Sequence, residues 1–302
     1  MKLAIDRNLR WLLRQALEED LGKGDMTTRA LIPKNLAGEA EIIAKQSGVF
    51  CSGPVAREVF QLRDSSLRVK LLVEDGARIR RGRRVLSVRG RVRSILEAER
   101  VALNFLAHLS GIATLTRAFV EKTKGTNAKI FDTRKTTPLW RTLEKYAVRS
   151  GGGENHRLGL WDEVLVKDNH WTALWDILDR TRCRYFGQRL KPIRKRGIPI
   201  EVEVRNLKEL AHLLEGQFVP DRILLDNFSL RELQRAVLFV KGLYHILQTR
   251  YGIHRKKPEL EASGGITLEN VRPMAATGVQ RISIGRLTHS APALDFSLRL
   301  VL

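Results

Sequence analysis

Cysteine is scarce in this chain of 302 residues, and the two that occur, Cys51 and Cys183, lie far apart in the sequence. Two cysteines supply neither a disulfide framework nor a cysteine-based zinc site. Their scarcity therefore favours a reduced protein in a cytoplasmic setting.

Long apolar runs are also missing. No stretch approaches the 18 or so consecutive apolar residues that a membrane-spanning helix needs. The first 20 residues reach Glu18, Glu19 and Asp20 without a small-residue cleavage site. They predict a helix of the mature protein instead of a signal peptide, and we expect no membrane partner.

Two nucleotide-binding motifs are absent. No Gly-x-Gly-x-x-Gly follows a predicted strand, which weakens a Rossmann assignment. No Gly-x-x-x-x-Gly-Lys-Ser/Thr occurs either, so nothing indicates a P-loop.

Acidic residues are few beside the basic ones: 33 Asp and Glu against 54 Lys and Arg give a net charge of +21. Such a surface attracts nucleic acid, anionic membrane, or small substrates rich in phosphate and carboxylate. A basic composition without any partner is the other interpretation. With 43% hydrophobic residues, the chain can bury a sizeable core, which excludes wholesale disorder.

The first hundred residues predict an α+β region. Residues 1–20 form an amphipathic pattern, and a long helical pattern, Glu97–Lys122, leads out of the region with an expected break or bend near Gly111. The other predicted elements are the helix Val55–Leu62 and the strands Ala40–Ala44, Val69–Val73 and Val85–Val88.

From residue 128 onward, strands and helices alternate, which predicts parallel strands in a doubly wound sheet or a barrel. The predicted strands are Ala128–Thr133, Glu163–Val166, Ile198–Val204, Arg222–Leu225, Glu259–Ala262 and Arg281–Ile284. The predicted helices are Trp140–Arg149, Trp171–Arg182, Leu207–Leu214, Leu230–Arg250 and Leu268–Ala276.

Nearly every strand of this second half carries or is followed by polar residues or glycines. In a β/α barrel the carboxyl ends of the strands meet at one face, where the active site lies. We therefore expect one site at that face. Its candidate segments are 132–137, 167–170, Glu201 with Glu203, 226–227, 263–265 and 285–286.

Within the third of these strands, Glu201 and Glu203 alternate with valines and so face the same way. If the valines pack under helices, the carboxylates point into the barrel and need a cation, ribose hydroxyls or a lysine. The alternative is an edge strand with one solvated face.

Two glycine-rich segments predict ligand contacts. In Ser150–Arg157, three glycines would let backbone approach a ligand, and His156 and Arg157 add anion donors. A flexible linker is the alternative, but Arg134 and Lys135 nearby strengthen the ligand interpretation. Ser263–Thr267 precedes a helix expected near Leu268 and suits a phosphate, or is an ordinary turn.

The run FDTRKTTPLWRTLEKYAVRSGGGENHRLGLWDEVLVKDNH (131–170) resembles the signature of the quinolinate phosphoribosyltransferase family, also called nicotinate-nucleotide pyrophosphorylase (carboxylating). Further similar pieces follow in the family's order along most of the chain. They are EEDLGKGDMTT, SGVFCSG, EAERVALNFLAHLSGIAT, EVEV, LLDNF, EASGGIT and ISIGRLTHS.

The resemblance implies an α/β fold with an N-terminal α/β sandwich domain over residues 1–111, on which residues 289–302 pack back. It implies an incomplete, open α/β barrel of the type II phosphoribosyltransferase kind over residues 112–288. The implied reaction joins quinolinate to phosphoribosyl pyrophosphate, with Mg²⁺, and releases pyrophosphate and carbon dioxide to give nicotinate mononucleotide. The implied assembly is a homodimer, with hexamers in some members.

The resemblance also implies roles for individual residues. Thr133, Arg134, His156, Arg157 and Lys167 would form the quinolinate pocket, and Arg100 would reach in from the partner subunit. Lys135, Glu203 and Asp226 would act in catalysis near ribose, pyrophosphate and metal, with Lys167 also near the phosphoribosyl group. The phosphate-holding residues would be Ser263, Gly264, Gly265, Ile284, Gly285 and Arg286.

Some features depart from the family or favour other functions. Thr137-Pro138-Leu139-Trp140 lacks a glycine that often follows this proline in the family, so this loop is expected to differ in shape. A related family encoded with molybdate-transport genes shares the scaffold but would need fewer cations around the acceptor. The arginine-rich segment Arg78–Arg93 would suit nucleic acid, yet no helix-turn-helix, zinc finger or stacking pattern accompanies it.

Overall fold

The computed structural model describes residues 3–175, 182–215, 218–254 and 256–301. The helices are α1 (Arg7–Leu21), α2 (Met26–Leu31), α3 (Gly53–Arg63), α4 (Val92–Lys122), α5 (Arg141–Ser150), α6 (Asp168–Trp175), α7 (Arg182–Lys195), α8 (Leu207–Glu215), α9 (Leu230–Tyr251), α10 (Val271–Ala276) and α11 (Arg286–His289). The strands are β1 (Ala37–Ala44), β2 (Gly48–Val49), β3 (Arg68–Leu71), β4 (Arg78–Ile79), β5 (Arg84–Arg91), β6 (Lys129–Phe131), β7 (Val164–Val166), β8 (Ile200–Val204), β9 (Arg222–Asp226), β10 (Glu259–Ser263), β11 (Arg281–Ser283) and β12 (Phe296–Val301).

The chain divides into two compact units. The first unit contains Met1–Arg117, Lys135–Gly153 and Arg286–Leu302, and the second contains Ala118–Arg134 and Glu154–Gly285. Part of the predicted helix Trp171–Arg182 lies outside the described residues, while its beginning belongs to α6 and Arg182 begins α7.

The first unit is built on an antiparallel sheet in the order β12-β1-β5-β3. Along β1, Ala40, Ile42 and Ala44 are buried and alternate with more exposed residues, as expected for a sheet with one covered face. Ile42 lies opposite Leu86 of β5, and Ala44 lies opposite Phe296 of β12. With α1 in contact with α3, the unit is the expected α/β sandwich.

The long helix α4 runs without interruption from Val92 to Lys122, so the expected break near Gly111 is wrong. A Cβ on Gly111 would lie 2.2 Å from the carbonyl oxygen of Pro292. This glycine therefore lets a neighbouring segment approach the helix closely, which outweighs its small intrinsic cost within a helix.

The second unit contains a six-stranded parallel sheet in the order β6-β11-β10-β9-β8-β7. The strands β7, β8, β9, β10 and β11 lie side by side in the order in which they occur in the chain. The first strand of the unit, β6, pairs with β11 at the other end of the sheet. A doubly wound sheet would instead reverse its strand order in the middle. Within the described residues β6 and β7 do not pair, so the sheet is an open barrel, as the resemblance implies.

Strand β8 lies between β7 and β9, and all five of its residues are buried. The alternative of an edge strand with a solvated face is therefore wrong. Among the helices that the structure describes, none combines the length and apolar character needed to span a bilayer.

Candidate active site

The carboxyl ends of the six parallel strands carry the polar residues that the sequence singles out. Because neighbouring strands are parallel, these ends lie at one edge of the sheet. In spatial order from β6 to β7, the residues at this edge are Thr133 and Arg134, Ser283 to Gly285, Ser263 to Gly265, Asp226, Glu203 and Lys167.

The loop that carries His156 and Arg157 is anchored by Asp132, a buried residue directly after β6. Asp132 Oδ1 accepts a hydrogen bond from the His156 backbone N–H at 2.9 Å, and its Oδ2 accepts one from Asn155 Nδ2 at 2.5 Å. The sequence pattern assigned Asp132 no role of its own. Its position immediately after a strand was the available signal.

Arg134 and Arg157 are two neighbouring cations, and not all of their N–H donors have hydrogen-bond partners within the described part of the chain. Arg157 is 8% exposed, and burial together with the charge of Arg134 lowers its pKa. Its Nη1 donates to the Glu163 carbonyl at 3.1 Å. Arg134 Nε is buried and has no hydrogen-bond partner among the described residues. Two like charges and an unpaired donor indicate a site for an anion.

His156 lies between two carboxylates in the interior of the second unit. Its Nε2 is 2.9 Å from Glu201 Oε2 and 3.4 Å from Glu261 Oε1, and both glutamates are fully buried. Burial alone would lower the pKa of His156, but the two carboxylates raise it. The hydrogen bond that Nδ1 accepts from the Arg157 backbone N–H limits this rise, because a protonated Nδ1 cannot accept it. Burial and the charge of Glu261 raise the pKa of Glu201 to about 7.

Glu203 lies on the same face of β8 as Glu201, as the spacing predicts, and forms an ion pair with a lysine. Lys167 Nζ lies 3.4 Å from Glu203 Oε2, with the lysine side chain 47% exposed. On the adjacent strand β9, Asp226 Oδ2 accepts a hydrogen bond from Asn227 Nδ2 at 2.8 Å. Glu203 is buried with 8% exposure, whereas Asp226 is half-buried.

The turn after β10 contains Gly264 and Gly265, both with positive φ (92° and 59°). A Cβ on Gly264 would lie 2.1 Å from the Asn227 side-chain oxygen, so only glycine fits at this position. The helix expected near Leu268 instead begins at Val271, because the Asn270 side chain accepts from the Thr267 N–H and folds the chain into a turn first. The glycines therefore do not open a helix directly.

Two residues of the first unit are notable for their packing or backbone conformation. A Cβ on Gly151 would lie 2.5 Å from the Ala113 carbonyl oxygen, so this glycine permits close packing on α4. Leu139 has a φ of 67°, a left-handed conformation that costs a non-glycine residue energy. It occupies the position at which the expected glycine is missing.

Three predicted site residues belong to the first unit. Arg100 is exposed on α4, and Arg286 is exposed at the start of α11. The carbonyl of Lys135 accepts a hydrogen bond from Thr288 Oγ1 at 2.7 Å. Their roles toward substrate stay predictions.

An open α/β barrel with paired arginines and buried acids at the carboxyl ends of its strands is the arrangement of an enzyme for anionic substrates. Residues 112–299 match the family described as "Quinolinate phosphoribosyl transferase, C-terminal domain", and residues 25–110 match its N-terminal domain. The chain belongs to the quinolinate phosphoribosyltransferase family.

Relatives and solved structures agree with this assignment. The chain is 42% identical over 295 residues to a nicotinate-nucleotide pyrophosphorylase (carboxylating) of Mycobacterium leprae, covering 95% of each chain. A solved nicotinate-nucleotide pyrophosphorylase from Francisella tularensis is 34% identical, with a TM-score of 0.85 over 99% of this chain and 98% of that one. Its counterpart from Ehrlichia chaffeensis is 35% identical, with a TM-score of 0.85 over 100% of each chain.

Proposed function

We propose that this chain transfers the phosphoribosyl group of phosphoribosyl pyrophosphate to quinolinate, with loss of carbon dioxide, in the biosynthesis of NAD. It is a pentosyltransferase of the nicotinate-nucleotide pyrophosphorylase (carboxylating) type, like the relatives that it matches over nearly their whole length. The products are nicotinate mononucleotide, pyrophosphate and carbon dioxide.

The observation that carries this proposal is the Arg134–Arg157 pair. Arg134 Nε lacks a partner among the described residues, and Arg157 is buried beside a like charge. A planar dicarboxylate supplies two anionic groups that guanidinium forks can bind in a bidentate manner. We propose that Lys167, directly after β7, supplies a third cation, and that His156, next to Arg157 in the chain, contributes to the same pocket.

The transfer step breaks the bond between the anomeric carbon and the pyrophosphate oxygen and forms a bond from that carbon to the pyridine nitrogen. Positive charge develops at the anomeric carbon as pyrophosphate leaves. Glu203 and Asp226, at the ends of adjacent strands, can stabilise this charge electrostatically. The carboxyl group beside the ring nitrogen then leaves as carbon dioxide, and the electron pair that it leaves on the ring carbon takes up a proton.

Other residues at the strand ends suit the phosphates of phosphoribosyl pyrophosphate and the Mg²⁺ ion that accompanies them. Ser263, Gly264 and Gly265, with Ile284 and Gly285, lie at the ends of β10 and β11. Phosphates can bind backbone N–H groups of such turns, although the Ile284 N–H already donates to the Phe131 carbonyl at 2.9 Å. Oxygen ligands suit Mg²⁺, which commonly binds one or two carboxylates together with substrate phosphates. Glu203 and Asp226 are the carboxylates that fit, and the ion would supply neutralisation of the leaving pyrophosphate.

The assembly and setting of the enzyme are part of the proposal. We propose a cytoplasmic homodimer, with a hexamer as a larger form, in which Arg100 completes the quinolinate pocket of the partner subunit. The exposure of Arg100 on α4 supports this role, because an arginine that serves another subunit must be accessible. The scarcity of cysteine supports the setting.

The assay that tests this function offers quinolinate and nicotinate in parallel, each with phosphoribosyl pyrophosphate and Mg²⁺. We expect product from quinolinate and none from nicotinate, with carbon dioxide and pyrophosphate released in equal amounts. Preference for nicotinate, or pyrophosphate release without carbon dioxide, would overturn the assignment.

A further inference from the structure

Glu201 and Glu261 are two buried carboxylates below the proposed substrate pocket. Both are fully buried, on β8 and β10. Arg281 Nε donates to Glu261 Oε2 at 2.5 Å. Among the described residues neither oxygen of Glu201 forms a regular hydrogen bond, and its contact with His156 Nε2 at 2.9 Å is an ion-pair contact. Because an unpaired buried charge is costly, the contact with His156 stabilises Glu201, and the charges of Arg157 and Arg222 add to this effect.

The His156 ring joins these acids to the backbone of the loop above them. Nε2 faces Glu201 and Glu261, while Nδ1 accepts a hydrogen bond from the Arg157 backbone N–H at 2.8 Å. Both ring nitrogens thus have partners within the protein. A ring held at both nitrogens fixes the backbone from which the Arg157 side chain projects.

The hydrogen bond from the Arg157 backbone N–H also restricts which nitrogen of the His156 ring can carry a hydrogen. A protonated Nδ1 could not accept this bond, which opposes the carboxylates that favour the charged ring. In either charge state, Nε2 keeps its hydrogen directed at Glu201. The other charged groups around this layer, from the surrounding elements, are Asp132, Arg157, Glu163, Arg222, Glu261 and Arg281.

A metal ion is the competing occupant of this cluster. Ligand atoms of His156, Glu201 and Glu261 lie within 4.8 Å of one another, which could suit a divalent ion. However, Arg281 and His156 already place hydrogen-bond donors at the two carboxylates. Arg281 binds the Oε2 atom of Glu261, and the His156 ring lies at ion-pair distance from the other oxygen of this residue and from one oxygen of Glu201. These two groups already supply positive charge to the cluster, so we favour His156 over a metal ion as the partner of the two acids.

We propose that Glu201 and Glu261 are positioning residues that hold His156 in place. His156 then acts on quinolinate by fixing the backbone of Arg157, and it does not itself donate a hydrogen bond to the substrate. The identity of the substrate rests on the proposed function. The hydrogen-bond arrangement of the ring is a property of the free protein.

The first test is an NMR measurement on the full chain labelled with ¹⁵N-histidine, with the His156 signals assigned from the His156→Asn variant. We expect Nδ1 without hydrogen and Nε2 with hydrogen in the ligand-free protein, and little change in either signal when quinolinate is added. A protonated Nδ1, or ring signals that shift strongly with quinolinate, would overturn the proposal. So would a stoichiometric bound metal that a chelator removes.

The second test compares Glu201→Ala with Glu201→Gln, which keeps an oxygen as acceptor for Nε2–H. Loss of one positioning hydrogen bond predicts about a tenfold rise in the KM for quinolinate for the alanine variant, with a smaller change in kcat. The KM for phosphoribosyl pyrophosphate should not change, and the glutamine variant should recover most of the effect. The exposed Glu215→Ala, at the end of α8, is the matched control.

These outcomes separate the two proposals. If wild-type protein fails to turn over quinolinate, the proposed function is wrong, whereas the ring arrangement can still be read from the ligand-free spectrum. If Glu201→Ala raises the KM for both substrates and lowers kcat by a similar factor, Glu201 does not act through His156. The same conclusion follows if Glu201→Gln does not restore the KM for quinolinate. If the alanine variant does not fold, the NMR result on wild-type protein decides.

Discussion

Two buried acids, Asp64 in the first unit and Glu201 in the second, show opposite ways of handling a carboxylate. Asp64 accepts hydrogen bonds from Ser66 (Oγ at 2.7 Å), from Ser94 (Oγ at 2.8 Å) and from Arg91 (Nε at 2.9 Å). Glu201 has no regular hydrogen bond among the described residues, and its close cationic partner is His156, 2.9 Å from Oε2. The first arrangement is complete without a ligand, and the second belongs to a layer beneath a pocket with unpaired cations.

The difference indicates which buried charged residues contribute to folding stability and which contribute to function. A buried charge that is fully partnered contributes to folding, because removing one partner exposes the desolvation cost of the other. The Arg134–Arg157 pair has the reverse character: its like charges repel, and Arg134 Nε has no hydrogen-bond partner among the described residues, so a bound anion would stabilise it. We therefore expect substitutions at Asp64 to affect unfolding and those at Arg157 to affect turnover.

The largest effect should come from Arg157→Ala. Losing a charge-assisted contact of roughly 1.5–3 kcal/mol predicts a fall in kcat/KM for quinolinate of about ten- to a hundredfold. Steady-state kinetics measure it, and the exposed Arg235→Ala on α9 should leave turnover unchanged. An unaltered rate in Arg157→Ala would mean that the pocket lies elsewhere.

A comparable loss of stability, but not of turnover, is expected for Asp64→Asn. Weakening the charge-assisted bonds to Arg91 and the two serines should lower the free energy of unfolding by roughly 1.5–3 kcal/mol, as measured by urea denaturation. The exposed Asp20→Asn serves as the control. If quinolinate turnover fell as far as in Arg157→Ala at a temperature where the variant is folded, the contrast between the two acids would be wrong.

The pH dependence of unfolding sharpens the same contrast. Burial would raise the pKa of Asp64, but the hydrogen bonds from Ser66, Ser94 and Arg91 outweigh it and lower the pKa. A lowered pKa contributes stability above the unfolded value of about 3.9, and this contribution is lost as the pH falls through the folded value. Urea titrations between about pH 6 and pH 3 should therefore show a steeper loss for wild type than for Asp64→Asn.

The smallest effect should be that of Arg84→Ala. Arg84 Nη1 lies 2.7 Å from Glu41 Oε1, but the arginine side chain is 63% exposed. Exposed ion pairs contribute about 0–1 kcal/mol and are screened by salt, so unfolding and turnover should hardly change. A loss as large as that of Asp64→Asn would show that exposure does not separate the two kinds of ion pair.

The arginine-rich segment illustrates why charge alone misleads. Arg84 pairs with Glu41, Arg91 pairs with Asp64, and Arg93 Nε donates to the Ile32 carbonyl at 2.7 Å. Part of this basic run therefore serves the first unit's own structure. The family assignment does not favour the nucleic-acid interpretation.

The sequence pattern predicted the strands of the second unit well, because buried parallel strands are short apolar runs bounded by turns. It missed β12, whose place is set by pairing with β1, a contact distant in sequence. It also misread Gly111, because a glycine that permits close packing and one that breaks a helix look alike in a sequence. The domain boundaries at 111 and 288 stay predictions.

The sequence by itself determined the alternation of strand and helix, the family, and which cations and acids lie at strand ends, since these follow from local period and motif. Only the tertiary structure decided which of these side chains satisfy one another. Glu201 and Glu203 share a face of one strand, yet the first is fully buried beneath His156 and the second lies beside Lys167. Burial and pairing depend on neighbours from other strands, which no local pattern contains.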